Sequence, residues 1–201
     1  MNIKEFSTLI KTKRKELDNL MKRKMPVLVG RMAKDHYQDN FRQGGFVNNG
    51  LRPWPKAKRI SSGGTSAASQ YGTLLSSRNH LFSSTKYIPS DYQVKVSNDL
   101  TYAPVHNWGG TLHPTVTPRM RKFAWAKYYQ SGGGKKKATK GEKNAGSDDP
   151  PEAAIWKKLA LTKKDKLSVK VPQRQFLGDS KELTEKIADK TETEIRKILN
   201  S

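Results

Sequence analysis

The sequence predicts an α+β fold, a small and mostly antiparallel sheet flanked by two N-terminal helices and one C-terminal helix. Three observations point to it. Apolar residues recur at helical spacing at both ends of the chain, residues 93–97 alternate apolar and polar with period two, and a long basic excursion interrupts the pattern before the last strand.

Taken in order, Ile3, Phe6, Ile10, Leu17, Leu20 and Met21 share one helical face over about residues 3–23, with Lys13 interrupting the stripe. Pro26 breaks or restarts the helix, because proline suits a first turn and not an interior. Val29, Ala33, Tyr37 and Phe41 then recur every four residues, and Gly44-Gly45 ends this second helix. Residues 43–73 are rich in Gly, Pro, Asn and Ser and read as an extended, irregular stretch anchored by Trp54, with a mobile tip at 61–65. Leu74, Leu75, Leu81 and Phe82 surround a polar run that reads as a short helix or turn leading into a strand. Residues 93–97 (QVKVS) are a half-buried strand, Asn98-Asp99 a turn, and residues 100–108 a second strand, the two forming an antiparallel hairpin.

From residue 111 to 165 the character changes. Short amphipathic segments around Met120–Tyr128 and Ile155–Leu161 flank a Gly- and Lys-rich stretch at about 132–151, too poor in apolar side chains to offset the entropy of ordering. We read one domain over 1–201 with an insertion at 111–165, a flexible basic loop on two helical feet. Leu167, Val169 and Val171 alternate as a third clear strand. Asp179 with Glu182 three residues later resembles a capping box, and Leu183, Ile187, Ile195 and Ile198 stripe the final helix.

Composition narrows the function. The 39 basic and 18 acidic residues leave a formal charge of +21, which repels other copies of itself and attracts polyanions or acidic protein surfaces. With no cysteine there is no disulfide, thiolate metal site or thiol nucleophile. No unbroken apolar run supplies a signal peptide or a membrane span, so the expectation is a soluble, unexported chain with no membrane partner.

Two segments carry the sharpest signal: residues 102–110 (YAPVHNWGG) and 171–178 (VPQRQFLG). They resemble the hallmark of the phage virion morphogenesis or tail-completion family, which has a YA-x-x-H-x-(F/W)-GG segment and, further on, P-x-R-x-FLG. Arg52-Pro-Trp54 is similar to that family's tryptophan-bearing extended segment, and residues 74–83 to its leucine–serine element. Ser77, Asn107 and Gln175 depart from the usual glycine, glutamine and proline, yet the order of elements is kept. The resemblance implies a structural virion protein, a tail-completion or neck component. It would form a ring, expected to be a hexamer, at the head-proximal end of the tail. Its partners would be itself, a tail tube or terminator protein and the head connector, with assembly in the bacterial cytoplasm. A tail terminator ring, or a basic protein binding nucleic acid nonspecifically, are the alternatives.

On a strand, Tyr102, His106 and Trp108 would point to one side, offering either a core face or a subunit contact, with Gly109 and Gly110 supplying a turn of positive φ. Arg174 and Phe176 share a side, with Leu177 following. They are either interface anchors or an arginine capping carbonyls beside a core phenylalanine. Lys135, Lys136, Lys137, Lys140 and Lys143 could touch DNA phosphates or an acidic neighbour. Catalytic and cofactor patterns are not expected. His36, His80, His106 and His113 lack ligand spacing, Ser83 and Ser84 have no nucleophile elbow, Asp148-Asp149 is a poor catalytic pair, and Gly132–Lys135 lacks phosphate-loop spacing.

Overall fold

The structure, a computed structural model, describes residues 2–61, 67–134 and 149–201. The fold is α+β, and in place of one sheet the described residues form three two-stranded sheets. The chain divides into two compact units, one of Met1–Gly110 with Val171–Ser201 and one of Thr111–Lys170.

The first unit begins with helix α1 (Ile3–Asn19), whose N-terminus is closed by a capping box between Asn2 and Glu5. It runs without a break through a π-helical turn (Leu20–Lys24) into α2 (Met25–Gln43), and Gly44 ends α2 in the left-handed conformation. Pro26 explains the π turn. Its ring would clash with the carbonyl of Lys22 four residues earlier, and it has no N–H to give that carbonyl. The Lys22 carbonyl instead accepts the backbone N–H of Tyr92, 3.3 Å away at the tip of a β-hairpin. Asp91 at the same tip pairs with Lys22 and Arg23. The expected break is thus a diverted, continuous helix.

Strands β1 (Gly45–Val47) and β2 (Leu51–Pro53) form a short antiparallel pair, followed by the single turns α3 (Lys58–Ser61), α4 (Ala67–Gln70) and α5 (His80–Ser83). The expected tip at 61–65 lies almost wholly outside the described residues. Strand β3 (Thr85–Ser90) pairs antiparallel with β4 (Gln93–Asn98), in register from Thr85 opposite Asn98 to Ser90 opposite Gln93. Helix α2 lies on this hairpin at Gly30. A Cβ there would fall 2.3 Å from Tyr87 Cδ2 and 2.9 Å from Val94 Cγ2, so the close approach requires glycine.

The expected strand at 100–108 is a helix, α6 (Ala103–Trp108). Pro104 sits in its first turn, where a fixed φ favours helix, and Gly109 stops it with φ +73°. The partner of β4 is therefore β3. The final helix α9 (Lys181–Leu199) packs against α1 and α2. Its N-cap is Ser180, not Asp179: Ser180 Oγ accepts the N–H of Leu183, while Glu182 accepts from the Ser180 hydroxyl at 3.3 Å and from the N–H of Gly50 at 2.7 Å. Lys13, the gap in the α1 stripe, donates Nζ to the carbonyl of Ile198 at 2.7 Å, placing a cation on the negative end of α9.

The chain leaves the first unit and returns to it through β5 (Gly110–Leu112) and β6 (Val169–Val171), which pair with each other. The second unit is built on α7 (Pro118–Gln130), capped by Thr117, and α8 (Pro151–Ala160). Buried Ala124, Ala153 and Ala160 let these helices approach, with Phe123 edge-on to Trp156. Asp149, read from sequence as part of a loop, is a fixed clamp. It accepts from Tyr128 Oη at 2.9 Å, from Lys157 Nζ at 2.8 Å and from the Gly134 N–H at 3.3 Å. These bonds, the Lys157 cation first, hold its carboxyl below the usual carboxylate range.

Candidate functional site

The two segments that stand out in the sequence meet in the first unit. Residues 172–176 carry no regular structure and 177–178 bend, with no strand partner among the described residues, so their backbone polar groups must be met by other means. Helix α6 and its neighbours supply them. The N–H of Arg174 donates to the His106 carbonyl at 2.8 Å, and the N–H groups of Phe176 and Leu177 both donate to Asn107 Oδ1 at 2.9 Å. From the other side, Trp54 Nε1 donates to the Gln175 carbonyl at 2.7 Å, Asn40 Nδ2 to that of Phe176 at 3.4 Å and Tyr37 Oη to that of Gly178 at 2.9 Å. Asn40, fully buried, also accepts the N–H of Val47. The segment is thus tied to α2, the Trp54 stretch and α6 by side chains and one backbone hydrogen bond, and through Asn40 to β1.

The core surrounds this junction. Phe41 lies edge-on to Trp54 at 5.5 Å and to Phe82 at 5.9 Å, with Phe176 tilted against it at 5.1 Å, and Leu81 and Ala103 complete the cluster. Gly109 runs so close to the segment that a Cβ would lie 3.0 Å from the Gln173 nitrogen. Gly109 and Gly110 take φ of +73° and +155°, the positive φ expected of the double glycine.

These positions correct several sequence expectations. Phe176 is 0% exposed and belongs to the chain's own core, so it is no interface anchor, and Leu177 packs half-buried against the same core. Arg174, 8% exposed, donates Nε to the Pro55 carbonyl at 2.9 Å and Nη2 to that of Lys56 at 3.5 Å. It caps carbonyls beside a core phenylalanine rather than reaching outward. Tyr102, His106 and Trp108 do not share a strand face. Helical spacing brings Tyr102 and His106 edge-on at 6.0 Å, while Trp108 turns elsewhere and is 66% exposed. Trp108 stands over a shallow apolar cleft of about 300 Å³ lined by Pro104, Leu177 and Gly178. Lys135, Lys136, Lys137, Lys140 and Lys143 lie outside the described residues.

Two features escaped sequence reasoning. Asn107, which a strand places opposite His106, is the acceptor on which the junction turns, and the sequence shows only a polar residue between His106 and Trp108. Helix α1 buries none of its residues, and Ile3, Phe6, Leu9 and Ile10 stand exposed along it. Among the described residues, no group of three His, Asp or Glu comes together to hold a metal ion, and no helix is long and apolar enough to cross a membrane. No family model, curated protein or solved structure matches the chain.

Proposed function

We propose that the chain is a non-catalytic structural protein of a tailed-phage virion, a tail-completion or neck component. In this reading copies form a ring, sixfold by the family resemblance, at the head-proximal end of the tail and join it to the connector. The observation that carries the proposal is Trp108. A large side chain at 66% exposure costs free energy in water, yet it ends a helix fixed on both sides by the junction and sits over an apolar cleft. Rigidly presented tryptophans of this kind anchor protein interfaces. The unburied apolar face of α1 adds a second surface that a neighbouring copy would cover. A ring built from two unlike surfaces is heterologous, and its axial faces are free for the tail and the connector.

A terminator ring that ends tube growth uses the same surfaces and is the nearer alternative. The surplus of +21 favours a second reading, nonspecific binding to nucleic acid, which in a neck would involve the packaged DNA. The test is Trp108→Ala in a producing phage, scored by joined particles and by sedimentation of the purified chain. The expected result is a folded protein that sediments as monomer and leaves heads and tails unjoined. Normal yields of infectious particles would overturn the interface reading.

A further inference from the structure

Arg174 raises a question that its carbonyl contacts leave open. An arginine that is 8% exposed over the whole residue is ordinarily balanced by a carboxylate, because a charge drawn out of water without a counter-ion is costly. Among the described residues no carboxylate pairs with it, and its two hydrogen bonds go to neutral carbonyls. The nearest charge acting on it is another cation, Arg59. Burial first and Arg59 second hold the Arg174 pKa below the ordinary arginine value. Residues 62–66, which follow α3, read Ser-Gly-Gly-Thr-Ser and bring no acid.

The same residues open on a cleft of about 520 Å³ whose polar lining includes Arg59, Arg174, His106, Ser76 and Ser77, and whose apolar lining includes Leu74 and Leu75. His106 lines this cleft, and its Nδ1 lies beneath the surface without a hydrogen-bond partner. Burial first and the Arg174 charge second keep this imidazole below its usual pKa.

We infer that this cleft is a binding site for a carboxylate carried on an apolar stem, with Arg174 as the countercharge, the His106 imidazole and the Ser76 and Ser77 hydroxyls as polar contacts, and Leu74 and Leu75 against the stem. The apolar lining favours an organic carboxylate over inorganic phosphate, which has no stem to bury. A carboxylate satisfies a guanidinium without displacing it from the carbonyls it already holds, since the fork has five N–H donors. Such a group has two sources, a free small carboxylic acid or the glutamate side chain of a docked peptide segment. The inference stands on Arg174 and His106 and does not depend on the virion reading.

The experiment is an NMR titration of the full chain with hexanoate, hexanamide, inorganic phosphate and a blocked pentapeptide, acetyl-Gly-Leu-Glu-Leu-Gly-amide, observing the His106 ring and Arg174 Nε–H signals. Hexanoate is expected to move both signals to saturation. Hexanamide and phosphate should each bind at least ~10-fold more weakly, the loss anticipated when a charge-assisted bond or the apolar contact is removed. A peptide that binds at least ~10-fold more tightly than hexanoate, by added contacts, identifies a docked segment as the source, and equal or weaker binding identifies a free acid. Arg174→Gln should abolish the response. Because Arg174 is buried and its removal endangers folding, Ser77→Glu provides a second route. A carboxylate tethered at the exposed lip should block hexanoate and raise the unfolding temperature, while Ser77→Gln does neither. Equal responses to hexanoate and hexanamide, phosphate binding as tight as hexanoate, or undiminished hexanoate binding by Ser77→Glu would each overturn the assignment.

Discussion

Replacing Asn107 by leucine tests the junction most directly. The side chain is 5% exposed, and its Oδ1 accepts two backbone N–H groups, those of Phe176 and Leu177, each at 2.9 Å. Leucine has nearly the same shape and no acceptor, so the change isolates the hydrogen bonds from the packing. A buried donor left unmet costs about 1–3 kcal/mol, and two are orphaned together, giving an expected loss of about 3–4 kcal/mol. For a chain of this size each kcal/mol lowers the midpoint by roughly 2–4 °C, so the unfolding temperature should fall by about 10 °C. Urea unfolding followed by circular dichroism measures the loss, and native-state hydrogen exchange at the Phe176 and Leu177 amides localises it. Asn107→Asp keeps an acceptor oxygen in place, and both amides should stay protected. A leucine variant within about 1 kcal/mol of the parent, with both amides still protected, would refute the role given to Asn107.

Three further outcomes follow from the same geometry. Phe176→Ala should cost about 3–5 kcal/mol by denaturant titration, since the ring is fully buried against Phe41; parent-like stability would return Phe176 to the surface. Gly30→Ala should destabilise by about 1–3 kcal/mol through overpacking on Tyr87, and the double variant with Tyr87→Ala should lose less than the two single costs added together. Additive losses would mean that the two do not touch. Glu194, held between Lys190 and Lys197, has its pKa lowered to about 2 from 4.5. A depressed folded-state value means that its contribution to α9 is present above pH 4.5 and is lost as pH falls toward 2. Thermal melts across that window should show a step that Glu194→Gln and high salt both flatten, and a step that survives both would assign it elsewhere.

The sequence made the long elements legible because their periodicity extends over many turns. The stripe of α1, the Gly44 stop, the alternation of β4 and the stripe of α9 are all visible from residues alone. The expected strand at 100–108 failed for a physical reason. Over six residues, apolar positions spaced two and four apart fit either period, and the deciding marks were local: Pro104 at a first turn and Gly109 at a stop. The short helix or turn expected to lead into a strand is α5 leading into β3, and what was misassigned is the pairing, since β4 pairs with β3; Pro89 is tolerated there because β3 pairs on one side only. Lys13 looked like a flaw in a stripe because its partner, the Ile198 carbonyl, is 185 residues away. At the junction, Asn40 and Asn107 read as neutral polar residues. Nothing in their own neighbourhoods says that a distant, unpaired segment lacks hydrogen-bond partners.

That segment also separates stability from assembly at the candidate interface. Asn107 and Trp108 are adjacent on α6, yet one faces the junction and the other faces solvent. If Trp108 acts only as a contact, Trp108→Ala should leave amide protection at Phe176 and Leu177 unchanged while assembly fails. Asn107→Leu should lower both, because loosening the segment frees the helix that positions the ring. The reverse pattern, protection lost on removing Trp108 and assembly intact without Asn107, would mean that the exposed tryptophan serves the fold and that the contact surface lies elsewhere, with the bare face of α1 the next place to look. The order of the two phenotypes thus tests the division between frame and contact.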